Sequence, residues 1–221
     1  MGKNTTRSRF LKISSFDIQF NILGCTLTVS FPFLTLLTLL LLVDNNGTIV
    51  YGVFAALIHE LAHISAMMIK NCRPQKISFR AFDINIIDRS RVKRNYNDDL
   101  FILAAGPLSN IIFCLVLYCI YKFGGCSWLV KPIYENIFIA VFNILPIESL
   151  DGGQIFFNLL CRRLSIKTAT NFTVLISFMV LLPIAVVGFY ILLVSRYNFS
   201  LLLLSCYLIG ILLLKHKEFY Y

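Results

Sequence analysis

Between Ile49 and Ile69 the chain stays apolar for long enough to cross a bilayer, and set into that run is His59-Glu60-Leu61-Ala62-His63. About twenty residues are what a helix needs to span the hydrocarbon core. On such a helix two residues four apart lie on one face about a turn apart. Both imidazoles can therefore reach one ion, with Glu60 outside the ligand pair as a base. An ionisable group near the bilayer centre costs roughly 2.5 to 3.5 kcal/mol, so three in one turn need a metal, water or partner side chains to offset them. On a soluble helix the same pattern is as often a solvated face. The lipid setting removes most of that alternative and points to a buried metal site.

The rest of the chain fits that setting. Of its 221 residues 58% are hydrophobic and 14% charged, and the mean hydropathy of +0.79 is too high for a soluble domain of this length. Apolar stretches near 31–46, 49–69, 100–121, 133–158, 170–194 and 199–214 predict an all-α polytopic membrane protein with about six transmembrane helices. No internal repeat or appended soluble domain is visible, so residues 1–221 read as a single membrane-embedded domain.

A net charge of +9 would suit a nucleic-acid binder, but the cations follow the two sides of a membrane instead. With the N-terminus inside, 17 of the 20 Lys and Arg fall in cytosolic segments, leaving Lys122, Lys131 and Arg196 outside. The expectation is a multi-pass membrane protein with both termini cytosolic, the lipid bilayer as its surroundings and no nucleic-acid partner. The first span is expected to remain, since no small-x-small cleavage pattern follows it. The seven cysteines show no C-x-x-C pairing or framework spacing and are assigned no chemistry.

Two segments outside the spans alternate with a period of two. Phe16, Ile18, Phe20 and Ile22 interleave with polar residues, and the alternation resumes from Thr26 to Phe31. The first helix is then expected to start near Pro32. Residues 76–87 form a similar stretch ahead of the charged run Asp88 to Asp99. Both segments lie on the expected cytosolic side and are predicted to form a hairpin or share one small sheet.

A catalytic zinc takes three protein ligands and leaves one position open, so His59 and His63 need a partner from elsewhere. The fourth span supplies Asp151, in Asn143-Ile144-Leu145-Pro146-Ile147-Glu148-Ser149-Leu150-Asp151-Gly152-Gly153. Pro146 removes a backbone donor and the glycine pair frees the chain beyond, so the helix should open beside Asp151. Depth agrees: His63 lies seven residues before Lys70 and Asp151 eleven before Arg162, about 10 and 16 Å from the cytosolic boundary. Glu148, in the same break, competes for the ligand role. The third span opens Ala104-Ala105-Gly106-Pro107-Leu108-Ser109-Asn110, whose small residues suit close packing on the helix of His59.

His59 to His63, Ala105-Gly106-Pro107-Leu108-Ser109-Asn110, and Asn143 to Pro146 with Leu150-Asp151-Gly152-Gly153 together resemble, in order and spacing, the site-2 protease family of intramembrane zinc metalloproteases. The compact layout looks most like the sporulation-type bacterial branch, without a PDZ insertion or the nucleotide-sensing C-terminal domain. That branch cleaves a membrane-associated sigma-factor precursor. The resemblance implies one zinc ion per chain held by His59, His63 and Asp151, Glu60 as general base and acid, and Asn143 as a polar contact to substrate. It also implies a transmembrane protein substrate, bound as a strand added to the sheet near residues 76–87, and leaves room for an inhibitory membrane partner. Two other classes compete. A metal-ion transporter would spread polar residues over successive depths of several helices, and an inactive protease-like membrane adaptor would have no need of Glu60.

Overall fold

The computed structural model describes residues 17–22, 25–72, 74–80, 83–87, 95–195 and 200–218. The N-terminal cations and the basic stretch 88–94, which carry much of the orientation argument, lie outside them.

The alternating segments form the strands β1 (Ile18–Ile22), β2 (Cys25–Val29), β3 (Lys76–Arg80) and β4 (Asp83–Ile87). They make one sheet in the order β1-β2-β3-β4. β1–β2 and β3–β4 pair antiparallel, while β2 and β3 pair parallel. The register explains why period two is so clean here. Ile18, Val29, Phe79 and Ile84 form one cross-strand row and Phe20, Leu27, Ile77 and Ile86 another, whereas Gln19, Thr28, Ser78 and Asn85 form a polar row between them. Along β1–β3 the apolar rows share a face, against which Phe33 packs with its ring 5.8 Å from that of Phe79. β3 is paired on both sides, so the open edges belong to β1 and β4.

From β2 the chain enters α1 (Phe31–Val43), with Pro32 in its first turn and the Ser30 hydroxyl accepting from Phe33 N. The second helix, α2 (Thr48–Ile69), carries the His pair. Asp44 caps it, one carboxylate oxygen accepting from Ile49 N at 2.9 Å and Val50 N at 3.1 Å. Because β2 leads into α1 and β3 follows α2, the parallel pairing returns the end of α2 to the side from which α1 set out.

α3 (Tyr96–Gly124) runs through Pro107 and is followed by a short 3-10 turn and α4 (Val130–Ile144). The expected opening of the fourth apolar stretch is present. α4 stops at Ile144, Leu145 before Pro146 takes ψ 138°, and α5 (Asp151–Cys161) starts at Asp151. Residues 145–150 are thus a non-helical bridge inside the bundle. Ile147 from this bridge is fully buried with Leu181 and Leu208, from α6 (Ile166–Ser195) and α7 (Ser200–Glu218). Ser177 of α6 accepts from Glu148 N at 2.9 Å. The long α6–α7 pair therefore buttresses the bridge that leads into Asp151.

Among the described residues three helices, α2, α3 and α6, are long and apolar enough to cross a membrane; α1 and the apolar part of α7 are shorter. Large apolar side chains point outward along them, as at Leu42, Phe123 and Val186. That pattern suits a lipid surround. The interior holds the small and polar residues, among them Ala55, Asn110, Asn136 and Ser177.

Candidate metal centre

α2 turns His59 and His63 inward, one turn apart, leaving them 4% and 8% exposed. Asp151 meets them from the first turn of α5, where a carboxylate also complements the helix dipole. Its Oδ2 lies 2.9 Å from Nε2 of His59 and 3.1 Å from Nε2 of His63, and the two Nε2 atoms are 3.1 Å apart. Among the described residues these three form the group of His, Cys, Asp or Glu side chains able to hold a metal. Glu148, the competing carboxylate, is not part of it.

The opposite ring nitrogens show what such a triangle needs. His63 Nδ1 lies 2.8 Å from the carbonyl oxygen of Ile102 on α3, a group that can only accept, so Nδ1 carries the hydrogen. His59 Nδ1 faces Asn110 Oδ1 at 2.8 Å and donates likewise. In the neutral rings both Nε2 atoms then present lone pairs to each other and to a carboxylate. Three acceptors converge with no hydrogen between them, which is the donor set of a cation. Two imidazole nitrogens and one carboxylate oxygen match the catalytic zinc sets, whose tetrahedral ligands stand about 3.3 Å apart for bonds near 2.0–2.1 Å. The residues fit a zinc ion.

Close packing makes the triangle reachable. A Cβ at Gly106 of α3 would lie 2.6 Å from Cε1 of His63 and 2.7 Å from Cε1 of His59. No side chain fits there, so the small residues expected to pack on α2 do so at the metal position itself. Gly153 faces the same restriction against the backbone of Ile147 in the bridge. At the boundary, Lys70 pairs with Asp98 at 2.7 Å and Arg162 Nη2 donates to Asn97 Oδ1 at 2.5 Å. The ends of α2 and α5 thus meet the first turn of α3 at adjacent residues.

Glu60 follows His59 directly and is half-buried. Asn143 sits in the last turn of α4, where its Nδ2 donates to Ile139 O at 3.0 Å. Asn110, which sequence spacing alone did not raise above a packing residue, proves to be the hydrogen-bond partner of His59. Ser177 carries no signal in the sequence beyond being a polar residue in an apolar span, which it shares with many residues that have no part in the site.

Residues 126–184, which hold α4, the bridge and Asp151, match Peptidase family M50. The chain is 26% identical over 167 residues to Stage IV sporulation protein FB of Bacillus subtilis (strain 168), a match spanning 69% of this chain and 57% of that protein. It thus covers less than two thirds of that relative's length. The fold is similar to that of Site-2 Protease from Methanocaldococcus jannaschii, with a TM-score of 0.63 and 21% identity over 87% of this chain and 92% of that one. These findings agree with each other: the chain is similar to Peptidase family M50 over residues 126–184 and to a sporulation protein over much of its length, and it has the fold of a site-2 protease.

Proposed function

We propose that the protein is an intramembrane zinc metalloprotease that hydrolyses peptide bonds in or beside the transmembrane segments of other membrane proteins. The observation that carries this reading is the convergence of two imidazole lone pairs and a carboxylate within 3.1 Å of one another, directly beside Glu60, inside an apolar helix bundle.

His59, His63 and Asp151 would hold the ion. Zinc bound there would polarise the scissile carbonyl and lower the pKa of water toward neutrality. Glu60 takes the proton of the attacking water on its carboxylate and returns it to the leaving amine nitrogen. The Nδ1 bonds to Asn110 and Ile102 keep the two rings from turning during that exchange. Asn143, beside the bridge, is the candidate to contact the substrate backbone.

A substrate helix has to unwind before attack, because its carbonyls are otherwise hydrogen-bonded and shielded. An unwound segment can pair as an added strand, and along residues 76–87 the edge open to it is that of β4. The reading includes six spans, cytosolic termini, a bacterial cell membrane and regulation by an inhibitory membrane partner. Membrane-tethered regulators are the proposed substrate class.

The test pairs wild type with Glu60→Gln against single-span substrates in detergent or liposomes, with and without chelator. The expected result is chelator-sensitive cleavage that falls by about 10²- to 10⁴-fold in Glu60→Gln while zinc content stays at one per chain. Full cleavage by the zinc-loaded variant would remove Glu60 from its role.

A further inference from the structure

Behind His59 a set of buried groups is ordered in one direction. It begins on α4, where Asn136 donates from Nδ2 to the Pro132 carbonyl at 2.8 Å. A carbonyl can only accept, so that end of the amide is nitrogen and Oδ1 is turned toward α3. There it accepts from Asn110 Nδ2 at 2.9 Å, and the same nitrogen donates its second hydrogen to Ala55 O on α2, also at 2.9 Å. Both amide hydrogens of Asn110 are thus committed, which leaves its Oδ1 for Nδ1 of His59 at 2.8 Å. Reversing either amide would set oxygen against carbonyl oxygen. The direction runs from Pro132 through Asn136 and Asn110 to His59, and its last consequence is a lone pair on Nε2.

The two imidazoles differ in how this is achieved. His63 is oriented by a main-chain carbonyl, which no substitution at that position removes. His59 is oriented by a side chain, itself oriented by a second side chain on α4, and both are essentially inaccessible. We infer that Asn110 and Asn136 are positioning residues that set the metal affinity of the site by fixing the tautomer and ring plane of His59. The inference rests on the metal reading above. It places control of one ligand on the helix that leads into the bridge and Asp151. The opposing account is that the two amides only join α2, α3 and α4.

Chelator-competition measurement of zinc affinity on the purified full chain in detergent, with thermal unfolding recorded alongside, separates these accounts. Asn110→Leu should lower zinc affinity about 10- to 100-fold. Asn110→Asp keeps an acceptor opposite Nδ1 but cannot donate to Ala55 or Asn136. It should hold zinc within a few-fold of wild type while unfolding at a lower temperature. A pure joining role predicts instead that zinc affinity follows thermal stability, with both variants losing it together; that result overturns the inference, as does a wild-type affinity in Asn110→Leu. Should Asn110→Leu not fold, the pair Asn136→Leu and Asn136→Asp decides: a smaller loss of affinity is expected in the first and its recovery in the second, and equal affinity in both overturns the inference. A zinc-free wild type would sink the metal reading and this inference with it. A zinc-binding wild type with indifferent Asn variants would sink the inference alone.

Discussion

Gly106→Ala adds one methyl group to the part of α3 that lies against both imidazoles. That Cβ would stand 2.6 and 2.7 Å from the two Cε1 atoms, whereas carbon atoms prefer about 3.5 Å or more, so rings or helix must separate by about 0.8 to 0.9 Å. A metal site keeps its distances to within about 0.2 Å, so the displacement is several times what the triangle tolerates. Stability responds less. Overpacking costs about 1 to 3 kcal/mol, while alanine in a helix interior recovers about 1 kcal/mol over glycine, leaving a net loss of about 0 to 2 kcal/mol. Zinc affinity should therefore fall about 100-fold or more, equivalent to about 2.7 kcal/mol, in a protein that still folds. Competition with a chromophoric chelator measures the first quantity and thermal unfolding in detergent the second. Gly210→Ala is the control, since its Cβ would meet nothing within 4 Å, and it should leave zinc affinity unchanged. A Gly106→Ala protein that binds zinc and cleaves as wild type does would refute the argument that close approach of α3 shapes the site.

Other perturbations address the supports. Ser177→Ala removes the part-buried hydrogen bond to Glu148 N and should lower stability by about 0.5 to 1.5 kcal/mol, the net worth of one such bond, read by thermal unfolding. Gly153→Ala would drive a methyl into the main chain at Ile147; protease accessibility of residues 145–150 should increase and proteolytic activity should drop. Lys70→Ala breaks a partly exposed pair with Asp98, and less than about 1 kcal/mol of stability and no activity should be lost. A large activity loss there would show that the boundary contact matters far more than screening allows.

Much of this arrangement was legible because lipid makes polar residues conspicuous. His59, His63 and Asp151 stand out as ionisable groups in apolar runs, and counting residues to the boundary brings both segments into the same half of the bilayer. The break at Pro146 was equally plain, not from the proline alone, since α3 and α6 run through Pro107 and Pro183, but from its company with Glu148, Asp151 and the glycine pair. The sheet was legible as two alternating segments; its parallel β2–β3 junction was not, because strand pairing between segments far apart in the chain leaves no local trace. Six spans are expected from the sequence, and among the described residues three helices meet the length and apolarity of a span by themselves. The fourth apolar stretch is divided by its own break into α4 and α5, each too short to qualify alone. Asn110 and Ser177 escaped assignment for another reason. A lone amide or hydroxyl in a span has no periodic signature, and its partner is decided by helix packing alone.

The parallel junction of β2 with β3 has a consequence for biogenesis. Each hairpin can close from neighbouring residues as soon as it emerges, but the two cannot be joined until α1 and α2 have both been made and the chain has come back to where it began. A polypeptide whose second helix failed to return would leave β3 apart from β2. The four-stranded sheet is therefore complete only in molecules whose His-bearing helix has come back to the side from which α1 set out.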